Sequence, residues 1–200
     1  MPRVGLNRSA VVSVAVELVD DGGPTGFADL TLARLASRLG IAVPSLYKHV
    51  ASLADLRREI AIASVDQLTE VISRASTGLA GRDAVRAMAQ AVREFAHRHP
   101  ARYSATQVAP RRDDPLDDDL AAAGGRTIDV MGAVLRGFDL PPELMIDAIR
   151  VIRSSLHGFV VLELGGGFGL PDDLDRSFAH LVDMVTAGIE RISAETPSSA

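Results

Sequence analysis

Apolar residues recur at intervals of three and four along nearly the whole chain, and strand-like alternation is almost absent. That period commits the chain to an all-α fold, because only a helix gathers such spacing onto one face. The breaks in the pattern set the elements. A first helix starts after Asn7 or Ser9 as N-cap, carries Val11, Val12, Ala15, Val16 and Val19, and is ended by the turn from Asp21 to Gly26. Thr31 caps a short helix bearing Leu32, Leu35, Ala36 and Leu39, which Gly40 closes. Pro44 opens another short helix, over 44–50, with Leu46 and Val50 turned inward. Longer helices are predicted at about 53–76, 83–98, 116–138, 142–164 and 174–193, so that about nine helices and no sheet are expected. Residues 196–200 read as a polar, disordered tail.

The composition removes whole classes of chemistry. With no cysteine there is no disulfide framework, thiolate metal site or cysteine nucleophile. The start of the chain lacks the apolar core of a signal peptide, and no stretch reaches the length of a membrane span. A soluble, cytoplasmic protein without a membrane partner is expected. The formal net charge of −5 argues against a broad nucleic-acid coat. Charge is unevenly placed, however. Residues 1–58 hold seven basic and five acidic side chains, against fourteen and twenty-one beyond them. A mildly basic head on an acidic body suits a small DNA-reading module attached to a larger regulatory domain.

The stretch from Leu32 to Val50, LARLASRLGIAVPSLYKHV, has the spacing of a helix-turn-helix. Ala36 is small where two helices cross, Gly40 supplies a left-handed turn, and Ile41 fills the space beneath it. Ser45, Tyr47, Lys48 and His49 remain outward on the second helix, a set of donors suited to phosphates and base edges. Thr31 adds free backbone N–H groups at a helix N-terminus. Arg34 completes the candidate DNA contacts.

On these residues the first sixty positions resemble the DNA-binding domain of the TetR family of bacterial transcriptional regulators. The resemblance is carried by Phe27, Leu32-x-x-Leu35-Ala36-x-x-Leu39-Gly40-Ile41, Pro44-x-Leu46-Tyr47-x-His49-Val50 and Leu53-x-x-Leu56. It implies a helix-turn-helix domain over 1–52 and a ligand-binding and dimerisation domain over 53–195. Many relatives carry a phosphate-binding lysine where this chain has Leu53; Arg3, Arg8, Arg34 and Arg38 are candidate replacements. The later segment Leu156-His157-Gly158 resembles the Trp-His-Gly signature of one branch, with leucine in place of tryptophan. The family reading makes the protein a homodimeric regulator, usually a repressor, released from a double-stranded palindromic operator by a small effector. It pairs the helices at 142–164 and 174–193 with their twins through Ile152, Ser155, Gly158, Leu162, Phe178, Leu181, Val185 and Ile189. Met and aromatic side chains suit a mostly apolar effector, with Met88, Val92, Phe95, Tyr103, Met131, Leu135 and Phe159 as walls and Gln107 and His157 as polar handles.

Readings from other classes compete. VVLELGGGFG at 160–169 is similar to the strand and glycine loop of S-adenosylmethionine-dependent methyltransferases. Only 31 residues follow Gly169, too few for the parallel sheet that chemistry needs, so a helix end plus a glycine turn is the better reading. His97 and His99 stand two apart and face different sides of a helix, and Asp113 to Asp119 lack the glycine and terminal glutamate of a calcium loop. No cofactor, metal or catalytic residue is expected. A helical adaptor without DNA or effector is the remaining alternative.

Overall fold

The structure, a computed structural model, describes residues 6–195. Arg3 and the 196–200 tail lie outside the described residues. Nine α-helices and three short 3-10 turns, with no strand, make up the described chain. The helices are α1 (Arg8–Asp21), α2 (Leu32–Leu39), α3 (Val43–Leu46), α4 (Leu53–Ser76), α5 (Gly81–Arg98), α6 (Pro100–Ala105), α7 (Asp118–Leu135), α8 (Pro142–Leu164) and α9 (Leu174–Glu195). The all-α expectation is met. No described helix is long and apolar enough to cross a membrane.

The chain forms two compact units, one of residues 1–67 with 98–124 and one of 68–97 with 125–200. In the first unit, α1 presents Val11, Ala15 and Val19 to a core shared with Leu35 and Ala36 of α2, Leu46 of α3, and Leu56 and Ile60 of α4. The local signals behave as their chemistry requires. Asn7 accepts the N–H of Ala10 at 2.8 Å and Thr31 that of Arg34 at 3.2 Å, satisfying donors that a helix start leaves unpaired. Gly40 takes the left-handed conformation at φ 66°, which lets the chain reverse between α2 and α3.

One helix was not expected. Pro100 ends α5 and, one residue after His99, also opens α6, where its missing N–H is no loss. Ala101 and Ala105 of α6 are buried in the core of the first unit, and α6 packs on α1 and on the Gly23–Thr25 turn.

In the second unit the buried apolar residues include Met88, Val92 and Phe95 of α5, Met131 and Leu135 of α7, Ile149, Ile152, Leu156 and Val160 of α8, and Phe178, Val182 and Ile189 of α9. Gly165 ends α8 and Gly166 turns the chain at φ 68°, the glycine turn expected of that sequence.

Candidate nucleic-acid interface

The reading segment is shorter than expected as a helix. The sequence gives a helix over 44–50, whereas α3 is α-helical only over Val43–Leu46, with Pro44 in its first turn. The chain then continues in tight turns, with His49 N–H donating to Leu46 O at 2.8 Å and Val50 N–H to the same oxygen at 3.0 Å. Leu46 and Val50 are buried and pin the segment to the core. Tyr47, 56% exposed, and Lys48 face solvent, while Ser45 and His49 are half-buried beside them. Thr31 and Arg34 are exposed at the start of α2. The Thr31 oxygen accepts the Arg34 N–H, which leaves its hydroxyl proton to donate, and the Arg34 guanidinium holds Asp29 O at 3.1 Å.

Of the arginines considered as substitutes for the lysine missing at Leu53, the described ones, Arg8, Arg34 and Arg38, have other partners. Arg38 pairs with Asp21 at 3.0 Å. Arg8 donates to both oxygens of Asp55 at 2.8 and 3.0 Å, to Glu59 at 2.6 Å and to His49 O at 3.0 Å. Asp55 also accepts Ala51 N–H at 2.9 Å, while Ser52 Oγ accepts Asp55 N–H at 3.0 Å and caps the start of α4. The Arg8 guanidinium holds the Asp55 carboxyl below its ordinary range, against a smaller opposing effect of burial. Arg57 reaches back to Ala28 O at 2.8 Å and lies over the Phe27 ring, bracing the loop that enters α2.

The effector candidates divide between the units. Met88, Val92, Phe95, Met131 and Leu135 are buried in the second, where His157 and Phe159 are half-buried. Tyr103 is buried in the first unit and Gln107 is exposed there. Burial, with the Arg153 charge second, lowers the pKa of His157 below its usual 6.5. Phe159 packs against Phe168 and Phe178 with ring centroids 4.8 and 5.1 Å away.

Of the dimer candidates, Ile152, Phe178 and Ile189 are buried within the second unit itself and face its core. Ser155, Gly158 and Leu162 lie on another stripe of α8, continued by Val151, and Leu181 and Val185 of α9 continue with Met184, Gly188 and Ile192. These two outward stripes are apolar and small.

Two ion-pair clusters escaped sequence reading. Arg93 Nε donates to Glu163 at 2.9 Å, its Nη1 lies 2.7 Å from Asp175, and His97 Nε2 lies 2.9 Å from the same glutamate. Glu163 is the acidic residue of the methyltransferase-like stretch, and its partner is this arginine. In the first unit Asp117, from the aspartate run at 113–119, accepts Arg58 at 2.5 Å and Arg111 at 2.8 and 2.9 Å. No group of three metal-ligating side chains occurs among the described residues.

Comparison with known proteins decides the family. The model of the tetracyclin repressor-like C-terminal domain matches residues 85–185. An HTH-type transcriptional regulator of Mycobacterium tuberculosis, Rv0681, is 40% identical, over 93% of this chain and 83% of its own length. The chain belongs to the TetR family. It is a DNA-binding transcriptional regulator of the helix-turn-helix class and not an enzyme. Solved structures agree with the fold. A TetR variant from Acinetobacter baumannii AYE, crystallised with minocycline, has a TM-score of 0.68 at 21% identity over 94% of this chain and 98% of that one. BioQ with its double-stranded DNA operator has a TM-score of 0.60 at 21% identity over 92% and 98%.

Proposed function

We propose that this TetR-family member is a cytoplasmic, homodimeric repressor, released from a palindromic operator by a small, mostly apolar effector. The observation that carries the reading is the exposed Tyr47 and Lys48, flanked by Ser45 and His49, on a segment pinned by Leu46 and Val50. Residues 1–52 would read DNA and residues 53–195 would bind effector and partner. Each subunit places residues 42–50 in a major groove, with half-sites about one helical turn, roughly 34 Å, or a multiple apart. Thr31, Arg34 and Tyr47 reach phosphates, while Ser45 and Lys48 lie nearer the bases. Operator binding by fluorescence anisotropy at several salt concentrations tests this. Lys48→Ala is expected to weaken operator binding about tenfold and to narrow the margin over random DNA. Tyr47→Ala is expected to weaken it by a similar factor; variants that bind like wild type would sink the assignment.

The partner face follows from the stripes Val151, Ser155, Gly158, Leu162 and Leu181, Met184, Gly188, Ile192, whose small residues allow close helix approach. Sedimentation at micromolar concentration should give a dimer, and the pair Gly158→Arg, Met184→Arg a monomer with weakened operator binding. A monomeric wild type would contradict the reading. The effector is proposed to enter among α5, α7 and α8, near Met88, Phe95, Met131, Leu135 and Phe159 of the second unit. Its effect on DNA affinity is bounded by its differential affinity for the two states.

A further inference from the structure

We propose that Arg8 positions the reading segment without touching DNA, and that buried Asp117 braces it through Arg58 and Asp55. This rests on the regulator reading above. A guanidinium has five N–H donors, and four of those of Arg8 are accounted for by Asp55, Glu59 and the His49 carbonyl. Two carboxylates, Asp55 and Glu59, compensate the Arg8 charge directly, so it has little left to offer a phosphate. What Arg8 does hold is the carbonyl of the last outward residue of the reading segment. Asp55 holds the N–H of Ala51, two residues on. The backbone that leaves the segment is therefore gripped from both sides, by α1 through Arg8 and by α4 through Asp55.

The grip does not end at Asp55. Arg58, one helical turn along α4, lies 3.5 Å from Asp55 Oδ1 and 2.5 Å from Asp117 Oδ1. Asp117 is only 5% exposed and also accepts the backbone and side-chain N–H groups of Arg111. A continuous run of ion pairs and charge-assisted hydrogen bonds thus joins residues 111–117 to His49, all within the first unit. Leu46 and Val50 keep the segment on the core without this run. The run fixes the orientation of the residues between and just after them, Tyr47 to His49, so its loss acts on recognition more than on folding.

The experiment uses the full-length protein and a duplex that the wild type selects from a random-sequence pool. Affinity is measured over a salt series for wild type, Arg8→Met, Asp117→Asn and the double variant, with melting temperature as the folding control. Arg8→Met should bind the selected duplex about tenfold more weakly, with random-duplex affinity and salt slope unchanged. A slope reduced by about 0.9 would make Arg8 a phosphate contact and overturn the proposal. Unchanged affinity for the selected duplex would overturn it equally. Asp117→Asn should weaken binding in the same sense, and the double variant should lose less than the product of the two factors. Independent sites multiply, so a full product overturns the brace. If Arg8→Met does not fold, Arg8→Gln, which loses the charge but keeps an N–H donor, takes its place with the same outcomes. A wild type that selects no duplex overturns the regulator reading itself, and this proposal with it.

Discussion

Arg93→Met is expected to cost the chain about 3 kcal/mol of stability, the scale for breaking a buried ion pair by removing one partner. The Arg93 and Glu163 side chains are only 11% and 8% exposed, and the guanidinium also lies 4.8 Å from the Phe178 ring centroid. Methionine fills much of the same space, so the loss is mainly electrostatic: Glu163 keeps its burial and retains His97 alone. The second change, Glu163→Gln, should restore part of the loss, because it removes the uncompensated charge. Acid has a defined sign here. Arg93, with a lesser contribution from His97, lowers the Glu163 pKa below its ordinary 4.5. The stability this supplies is therefore fully present above about pH 4.5 and is lost as pH falls through the lowered value. Without Arg93 that acid-side loss disappears, because protonation then relieves the uncompensated buried charge, so the deficit of the variant against wild type narrows as pH falls. Urea unfolding followed by circular dichroism at pH 7 and through the acid range measures both effects. A change below about 1 kcal/mol at pH 7 would show that the pair is not desolvated as its burial implies.

The helix-turn-helix was legible because each of its signals is local. Thr31 as cap, Gly40 as left-handed turn, and Leu35, Ala36, Leu46 and Val50 as the inward set are all written within twenty residues. The bounds of α8 and α9 were legible for the same reason, since prolines and glycines punctuate them. The α6 helix was not, because six residues are too few to show a period and Pro100 reads equally well as a stop. Its helicity depends on α1 and the Gly23–Thr25 turn, far away in sequence. The ion pairs share this difficulty: Arg8 and Asp55 are 47 residues apart, Arg93 and Glu163 70. A charged residue read alone is taken for a solvated one. Periodicity found the apolar content of α8 and α9 but not its allocation, which is why Ile152, Phe178 and Ile189 were given to a partner and lie in the core. A stripe broader than one contact face has two sides, and only packing says which side faces inward.

Gly26→Ala is expected to be among the most damaging single substitutions in the reading head, for a reason unrelated to backbone dihedrals. Gly26 has φ −54°, which any residue adopts, but a Cβ there would lie 2.0 Å from the carbonyl oxygen of Val19 and 3.0 Å from its carbon. At Gly22 a Cβ would come within 2.5 Å of the Gly26 Cα. Both obstacles are backbone, so no rotamer change relieves them, and the end of α1 must separate from the Gly23–Thr25 turn. The neighbours that would have to follow are α6, which packs on that turn, and buried Leu30, which leads into α2. Overpacking of this kind costs about 3 kcal/mol. In a chain of this size that corresponds to a fall in Tm of about 10 °C. Gly23 supplies the control. It sits at φ 60° with nothing within 4 Å of its missing Cβ, so Gly23→Ala meets only the left-handed penalty of about 1 kcal/mol. Two alanines three residues apart should therefore differ severalfold in cost, and operator binding at a fixed warm temperature should be lost for the first alone. Equal melting temperatures for the two would mean that α1 and the turn are not in contact through Gly26.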